Sequence, residues 1–167
     1  MPQSNTRRYT QDTGEALYRR SMYTLWKRTA PPASMDILNA PSRETFCTRR
    51  ERTNTPLQAF VVMNDPQFVE AARQLATRAV LLSPDKEARL DFVTYRILSR
   101  DLTDGERTTV FRTLGTFLTK YQADPAAAAA LIAVGESKPD PAIAPAELAA
   151  WTLAVSQVMN MDEALTK

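Results

Sequence analysis

The stretch TNTPLQAFVVMNDPQFVEAARQLA, residues 53–76, contains two helix starts in quick succession. Thr55 carries a side-chain oxygen suited to an N-cap, and Pro56 follows where its missing N–H costs nothing. Gln58 stands at the third helical position, from which its amide can reach back to the cap. The run from Leu57 to about Met63 is apolar nearly all round, which predicts a buried helix, and the arginines before it are expected to lie next to the core. Asn64-Asp65-Pro66 closes that helix and caps the next, with Asp65 as cap and Pro66 in the first turn. Phe68, Ala72, Leu75, Ala76, Ala79 and Leu82 then recur at helical spacing. Helix following helix, with no period-2 alternation between them, sets the class.

The same grammar extends in both directions. Ser83-Pro84 opens a helix to about Ser99 through Leu90, Val93, Tyr95, Ile97 and Leu98. Thr103-Asp104-Gly105-Glu106 has capping-box spacing and opens another through Val110, Leu114, Phe117, Leu118 and Tyr121. Asp124-Pro125 caps an alanine-rich helix that stops at Gly135, a left-handed C-terminal position. Ala144-Pro145 leads into ELAAWTLAVSQVMN, whose Leu148, Trp151, Leu153, Val155 and Val158 place it at the centre of the core. Toward the N-terminus, Asp12 with Glu15 three places on predicts a helix from about Thr13 to Arg28, with Leu17, Tyr18, Met22, Leu25 and Trp26 on one face. Residues 30–55 lack periodicity and read as an extended segment docked on the rest. The expected fold is all-α: an irregular bundle of about six helices in a single domain over residues 1–167.

Composition sharpens the exclusions. The chain has 167 residues and is 44% hydrophobic, enough for a core, since a domain of this size buries roughly 70% of its unfolded surface. It has no histidine, which removes the usual general base, zinc ligand and haem ligand. Cys47 is the single cysteine, so there is no internal disulfide, CxxC pair or haem-attachment motif, and the reading favours a small packed thiol over a nucleophile. The DLTDGE run at 101–106 does not make a calcium loop, because Gly105 and Glu106 fall at the wrong positions and Arg112 stands where the bidentate glutamate belongs. Asp162-Glu163 reads as a solvated helix end rather than half of a catalytic carboxylate pair, and no metal site is expected. The longest apolar run, Ala126 to Val134, is too short for the ~20 residues of a membrane helix, and the polar N-terminus is not a signal peptide.

Charge is unevenly spread. Residues 1–53 hold ten Lys/Arg against five Asp/Glu, and residues 54–167 hold eleven against fourteen, so the first third is +5 and the remainder −3. The cationic cluster Arg49, Arg50 and Arg52, with Arg43 nearby, is either structural, forking onto carboxylates of other helices together with Glu44, or a grip for an anionic polysaccharide. In the second reading Glu51 works beside it. An overall charge of +2 argues against nucleic acid as partner.

YRRSMYTLWKRTAPP (18–32), NAPSRETFCTRRERTNTPLQAFVVMNDPQFVEAARQLA (39–76) and ELAAWTLAVSQVMNMDEALTK (147–167) together resemble the C-terminal planctomycete-specific domain of unknown function, the PSD family. The resemblance covers nearly the whole chain and is densest from 18 to 76. It departs at Leu38-Asn39-Ala40-Pro41, where the family usually reads Phe-Asp-Ala-Pro, so any charged pairing made by that aspartate is lost here. The resemblance implies an extracytoplasmic setting, periplasmic or at the cell surface. It also implies that this chain is the tail of a larger exported protein, with haem c carried by an upstream cytochrome domain and no cofactor here. It carries no catalytic residue over. A non-catalytic scaffold or interdomain docking module, with the upstream domains as partner, is the first expectation; part of a site for acidic or sulfated polysaccharide is the second.

Overall fold

The computed structural model describes residues 9–27, 30–42, 44–49 and 52–166, and the chain forms two compact units, Met1–Gln58 and Ala59–Lys167. The fold is all-α, with eight helices and no strand among the described residues. They are α1 (Ala33–Ile37), α2 (Pro56–Asn64), α3 (Pro66–Leu82), α4 (Lys86–Leu98), α5 (Asp104–Ala123), α6 (Pro125–Ile132), α7 (Pro145–Met159) and α8 (Asp162–Leu165).

The second unit is organised by α7. Leu148, Ala149, Ala150, Trp151, Thr152, Ala154, Val155, Ser156 and Val158 are all buried, so this helix has almost no solvent face. A helix apolar all round must be central, and α3, α4, α5, α6 and α8 each pack on it. Small residues set the spacing on α3, where Ala72, Ala76 and Ala79 are fully buried. Leu90 and Val93 from α4 and Val110 and Leu114 from α5 complete the core.

Local chemistry fixes the helix ends. Asp65 accepts from Gln67 N–H (2.9 Å) and Asp85 from the N–H groups of Glu87 (3.3 Å) and Ala88 (3.2 Å). Asp124 accepts from Ala127 N–H (2.9 Å). Thr103 and Glu106 form the reciprocal box, Glu106 N–H donating to Thr103 Oγ1 (3.4 Å) and Thr103 N–H to Glu106 Oε2 (2.8 Å). In α2, Gln58 N–H donates to Thr55 Oγ1 (3.3 Å) and Thr55 N–H to Gln58 Oε1 (3.0 Å), ahead of Pro56.

Glu106 also joins two ends of the unit. Arg100 makes a forked pair with it (2.9 and 3.0 Å) and binds Glu163 of α8 on its other edge. Glu163 is therefore an ion-pair partner, not a bare helix end. The hydrogen bonds from Arg100, then those from Thr103, hold the Glu106 carboxyl down to about 2 from an ordinary 4.5. A carboxyl depressed on folding contributes stability that is complete above its unfolded value and is lost as pH falls through the folded one. This contribution is expected to disappear between about pH 4.5 and 2. Glu106→Gln should flatten the acid limb of a urea-midpoint-against-pH curve in that window, by a modest amount because the pair is accessible to solvent. An unchanged limb would dissociate the pair from stability.

A buried polar clamp joins α3 to the turn after α6. Glu70 and Arg73, 2% and 1% exposed, pair at 3.5 Å on α3. The Glu70 carboxylate accepts from Glu136 N–H (3.0 Å), Ser137 N–H (2.6 Å) and the Ser137 hydroxyl, while Arg73 Nη2 donates to the carbonyl of Ser137 (2.7 Å). Gln74 Nε2 donates to Ser137 Oγ (2.7 Å). The turn after α6 is thereby pinned to α3, with Gly135 in left-handed backbone at φ 96°.

Three expectations are corrected. No α-helix runs over the described part of the predicted Thr13–Arg28 helix, residues 13–27: two 3-10 turns, Gly14–Tyr18 and Ser21–Tyr23, stand there with Arg19 and Arg20 between them. Gly14 is left-handed (φ 62°), Thr13 makes no side-chain cap, and Tyr18, Met22, Tyr23 and Leu25 are exposed. An amphipathic pattern with no core to cover does not repay helix nucleation. The second correction is α2, which is not buried all round. Gln58 and Val62 face inward, but Leu57, Phe60 and Met63 are 55%, 61% and 50% exposed. A run of apolar letters gives a helix no direction, and here the buried face is chosen by Gln58, whose Nε2 donates to Ile37 O (3.0 Å) and Thr53 Oγ1 (2.8 Å). Thirdly, the segment 30–55 contains the short helix α1 and a turn at Asn39, left-handed at φ 56°.

Candidate functional site

Three helices of the second unit leave an open cleft of about 620 Å³. The N-terminal turn of α4 supplies Lys86 and Glu87, the middle of α5 supplies Phe111, Leu114, Gly115, Leu118 and Gln122, and the first half of α7 supplies Ala146, Glu147, Ala150 and Trp151. The volume falls within the range of small-ligand sites, which are mostly apolar with a few polar groups. Gly115 sits mid-helix and a Cβ there would meet nothing within 4 Å, so the absent side chain is open space in the cleft wall.

The floor is held from behind. Trp151 is 2% exposed, and the Arg89 guanidinium lies 5.7 Å from the centroid of its ring. Arg89 is itself fixed by Nε donating to Ser83 O (2.6 Å) and Nη1 to Glu147 Oε1 (2.7 Å). On the opposite rim Arg107 pairs with Glu87 and with Asp91 (2.7 Å). Both rim carboxylates are thus engaged by arginines, whereas exposed Lys86 has no ion-pair partner among the described residues. α7 begins beside the cleft at Ala144 without a side-chain cap, and Glu147 in its first turn sets a carboxylate against the positive end of that helix.

The residues singled out from the sequence lie elsewhere. Arg49 and Arg52 are exposed, so the expectation that they are anchored beside the core does not hold; Arg43, Arg50 and Glu51 lie outside the described residues. Among the described residues, Arg73, Arg89, Arg100 and Arg107 form ion pairs instead. Cys47 is exposed, its thiol donating to Arg49 O (3.2 Å), and is not a packed thiol. Asn39, at the departure from the family wording, donates from Nδ2 to the Thr53 hydroxyl, which ties the 38–41 turn to the segment leading into α2. Among the described residues no group of three metal-ligating side chains occurs and no helix is long and apolar enough to cross a membrane. The cleft itself was not legible, since Lys86, Gly115 and Trp151 come from helices far apart in sequence. The one sequence-level hint is a glycine in the middle of an otherwise regular helical pattern.

Comparison with known proteins gives one match. The family model described as PSD1, protein of unknown function (DUF1553), covers residues 1–114. No curated protein and no solved structure matches the chain. The matched stretch ends inside α5, before α6 and α7, so the packed unit extends past it.

Proposed function

The chain belongs to that PSD1 family of unknown function, and from this premise we propose that it is a non-catalytic helical docking module of a larger exported protein, whose neighbouring domain carries haem c. The observation that carries the reading is the exposed stripe Leu57, Phe60 and Met63 on α2. These residues lie at i, i+3 and i+6, on one side of the helix, and large apolar side chains grouped on one face mark interaction surfaces. The capping pair Thr55 and Gln58, with Pro56, sets where the helix begins, and buried Gln58 fixes its rotation. The stripe is therefore preorganised, which lowers the ordering cost of binding.

A second reading rests on Arg49 and Arg52, which are exposed and have no carboxylate partner among the described residues. They suit a sulfated or uronic polysaccharide. One experiment separates the two. The chain, a Leu57→Ser/Phe60→Ser/Met63→Ser variant and an Arg49→Ala/Arg52→Ala variant are titrated against the separately expressed haem-bearing domain and against heparin. Docking predicts low-micromolar binding to the haem domain, weakened about tenfold or more by the α2 substitutions and little by the arginine pair. Absence of binding by the unsubstituted chain would refute it. Heparin binding lost only in the arginine variant would move the second reading to the front.

A further inference from the structure

We propose that the Trp151 cleft binds a small anionic amphiphile: an apolar body lies against Phe111, Leu114, Leu118 and Trp151, and a carboxylate head pairs with Lys86. The inference is independent of the docking reading. Its first support is shape. A cleft of about 620 Å³ with an apolar wall would take a medium-length acyl chain or a bicyclic ring system. Gly115 is what keeps it open, since any side chain there would project into space that nothing else fills.

The second support is charge. Three formally charged side chains line the cleft, Lys86, Glu87 and Glu147. Glu147 is held by Arg89 at 2.7 Å, and Arg107 binds Glu87 while also engaging Asp91. A cationic head would compete at either carboxylate with a resident guanidinium, Arg89 on one oxygen of Glu147 and Arg107 on one oxygen of Glu87. An anionic head displaces nothing, because Lys86 is unpaired among the described residues. The rim thus selects the sign of the head group, and the wall selects an apolar body.

The test uses the full chain carrying Trp26→Phe, so that Trp151 is the one remaining tryptophan reporter. Sodium decanoate, decanol and decyltrimethylammonium are titrated below their aggregation concentrations, following Trp151 fluorescence and heat. Decanoate is expected to saturate and to bind more tightly than decanol, with the cation weakest. Lys86→Met should erase the preference of decanoate over decanol, a loss of about two- to fivefold, the size of an exposed ion pair. Gly115→Leu should abolish saturation while far-ultraviolet circular dichroism is unchanged. Equal binding of decanoate and decanol to the unsubstituted chain would overturn the assignment of the head group. Undiminished decanoate binding by a folded Gly115→Leu chain would overturn the site. Should that variant not fold, the Lys86→Met comparison decides alone, because an exposed lysine can be replaced without touching the core.

Discussion

Replacing Trp151 by alanine is expected to destabilise the second unit by about 3–5 kcal/mol, the cost of truncating a fully buried aromatic. Domains of this size keep only about 5–15 kcal/mol in total, so the variant should be partly unfolded at room temperature or have a urea midpoint lowered by more than a molar. Two losses combine. The indole is 2% exposed on the helix against which α3, α4, α5, α6 and α8 pack, and its removal leaves a void that these elements cannot fill by small shifts. Arg89, whose guanidinium lies 5.7 Å from the ring centroid, loses that face and with it part of the geometry that holds Glu147. Trp151→Phe keeps an aromatic surface and should cost clearly less. A midpoint for Trp151→Ala within about 1 kcal/mol of the parent would remove α7 from its place as the organising helix.

Gly135→Ala should be nearly as damaging, through a different cause. At φ 96° the residue is in backbone that L side chains avoid, which alone costs about 1–2 kcal/mol. An added Cβ would also overlap the Glu70 carboxylate and lie 2.7 Å from Glu70 Cβ. Glu70 cannot swing aside without surrendering its bonds from Glu136 N–H, Ser137 N–H and the Ser137 hydroxyl, and a buried group left without partners costs about 1–3 kcal/mol more. The expected sum is about 2–5 kcal/mol, read as a lowered urea midpoint. Gly105→Ala is the matched control. That glycine lies in the first turn of α5 with nothing within 4 Å, so the same substitution should leave stability unchanged or raise it by up to about 1 kcal/mol. If both substitutions had the same sign, the close approach at Gly135 would not be the reason for its glycine.

Features that depend on a few neighbouring residues were legible in the sequence. Asp124-Pro125 and Thr103 with Glu106 are complete devices within four positions, and each starts a helix. Trp151 was legible as central because its helix has no polar face long enough to meet water. What failed was orientation. Leu57, Phe60 and Met63 read as core because they are apolar, yet a side chain's destination depends on which face the rest of the chain presses, and Gln58 rather than a leucine took that side. The pattern at Thr13–Arg28 failed likewise: its spacing is helical, but Gly14 is left-handed and Tyr18, Met22 and Leu25 are exposed, so the apolar face is not buried as a helix would need. The Trp151 cleft needed coordinates, since its floor and rim are brought together from α4, α5 and α7, and an empty volume leaves no letter in a sequence except the glycine that permits it.

The position of α7 in chain order has a consequence for synthesis. α3 to α6 all leave the ribosome before the helix that covers them, so the apolar faces carrying Ala72, Ala76, Leu90, Val93, Val110 and Leu114 remain uncovered until Pro145–Met159 has been made. α3 packs on α4 and α5 on α6, but the larger interfaces of α3, α5 and α6 are with α7, so closing the core waits for contacts of long sequence separation. A chain interrupted before Pro145 would therefore present a cell with four sticky helices rather than a smaller working protein. Synthesis of α7 is the step on which covering of this core depends.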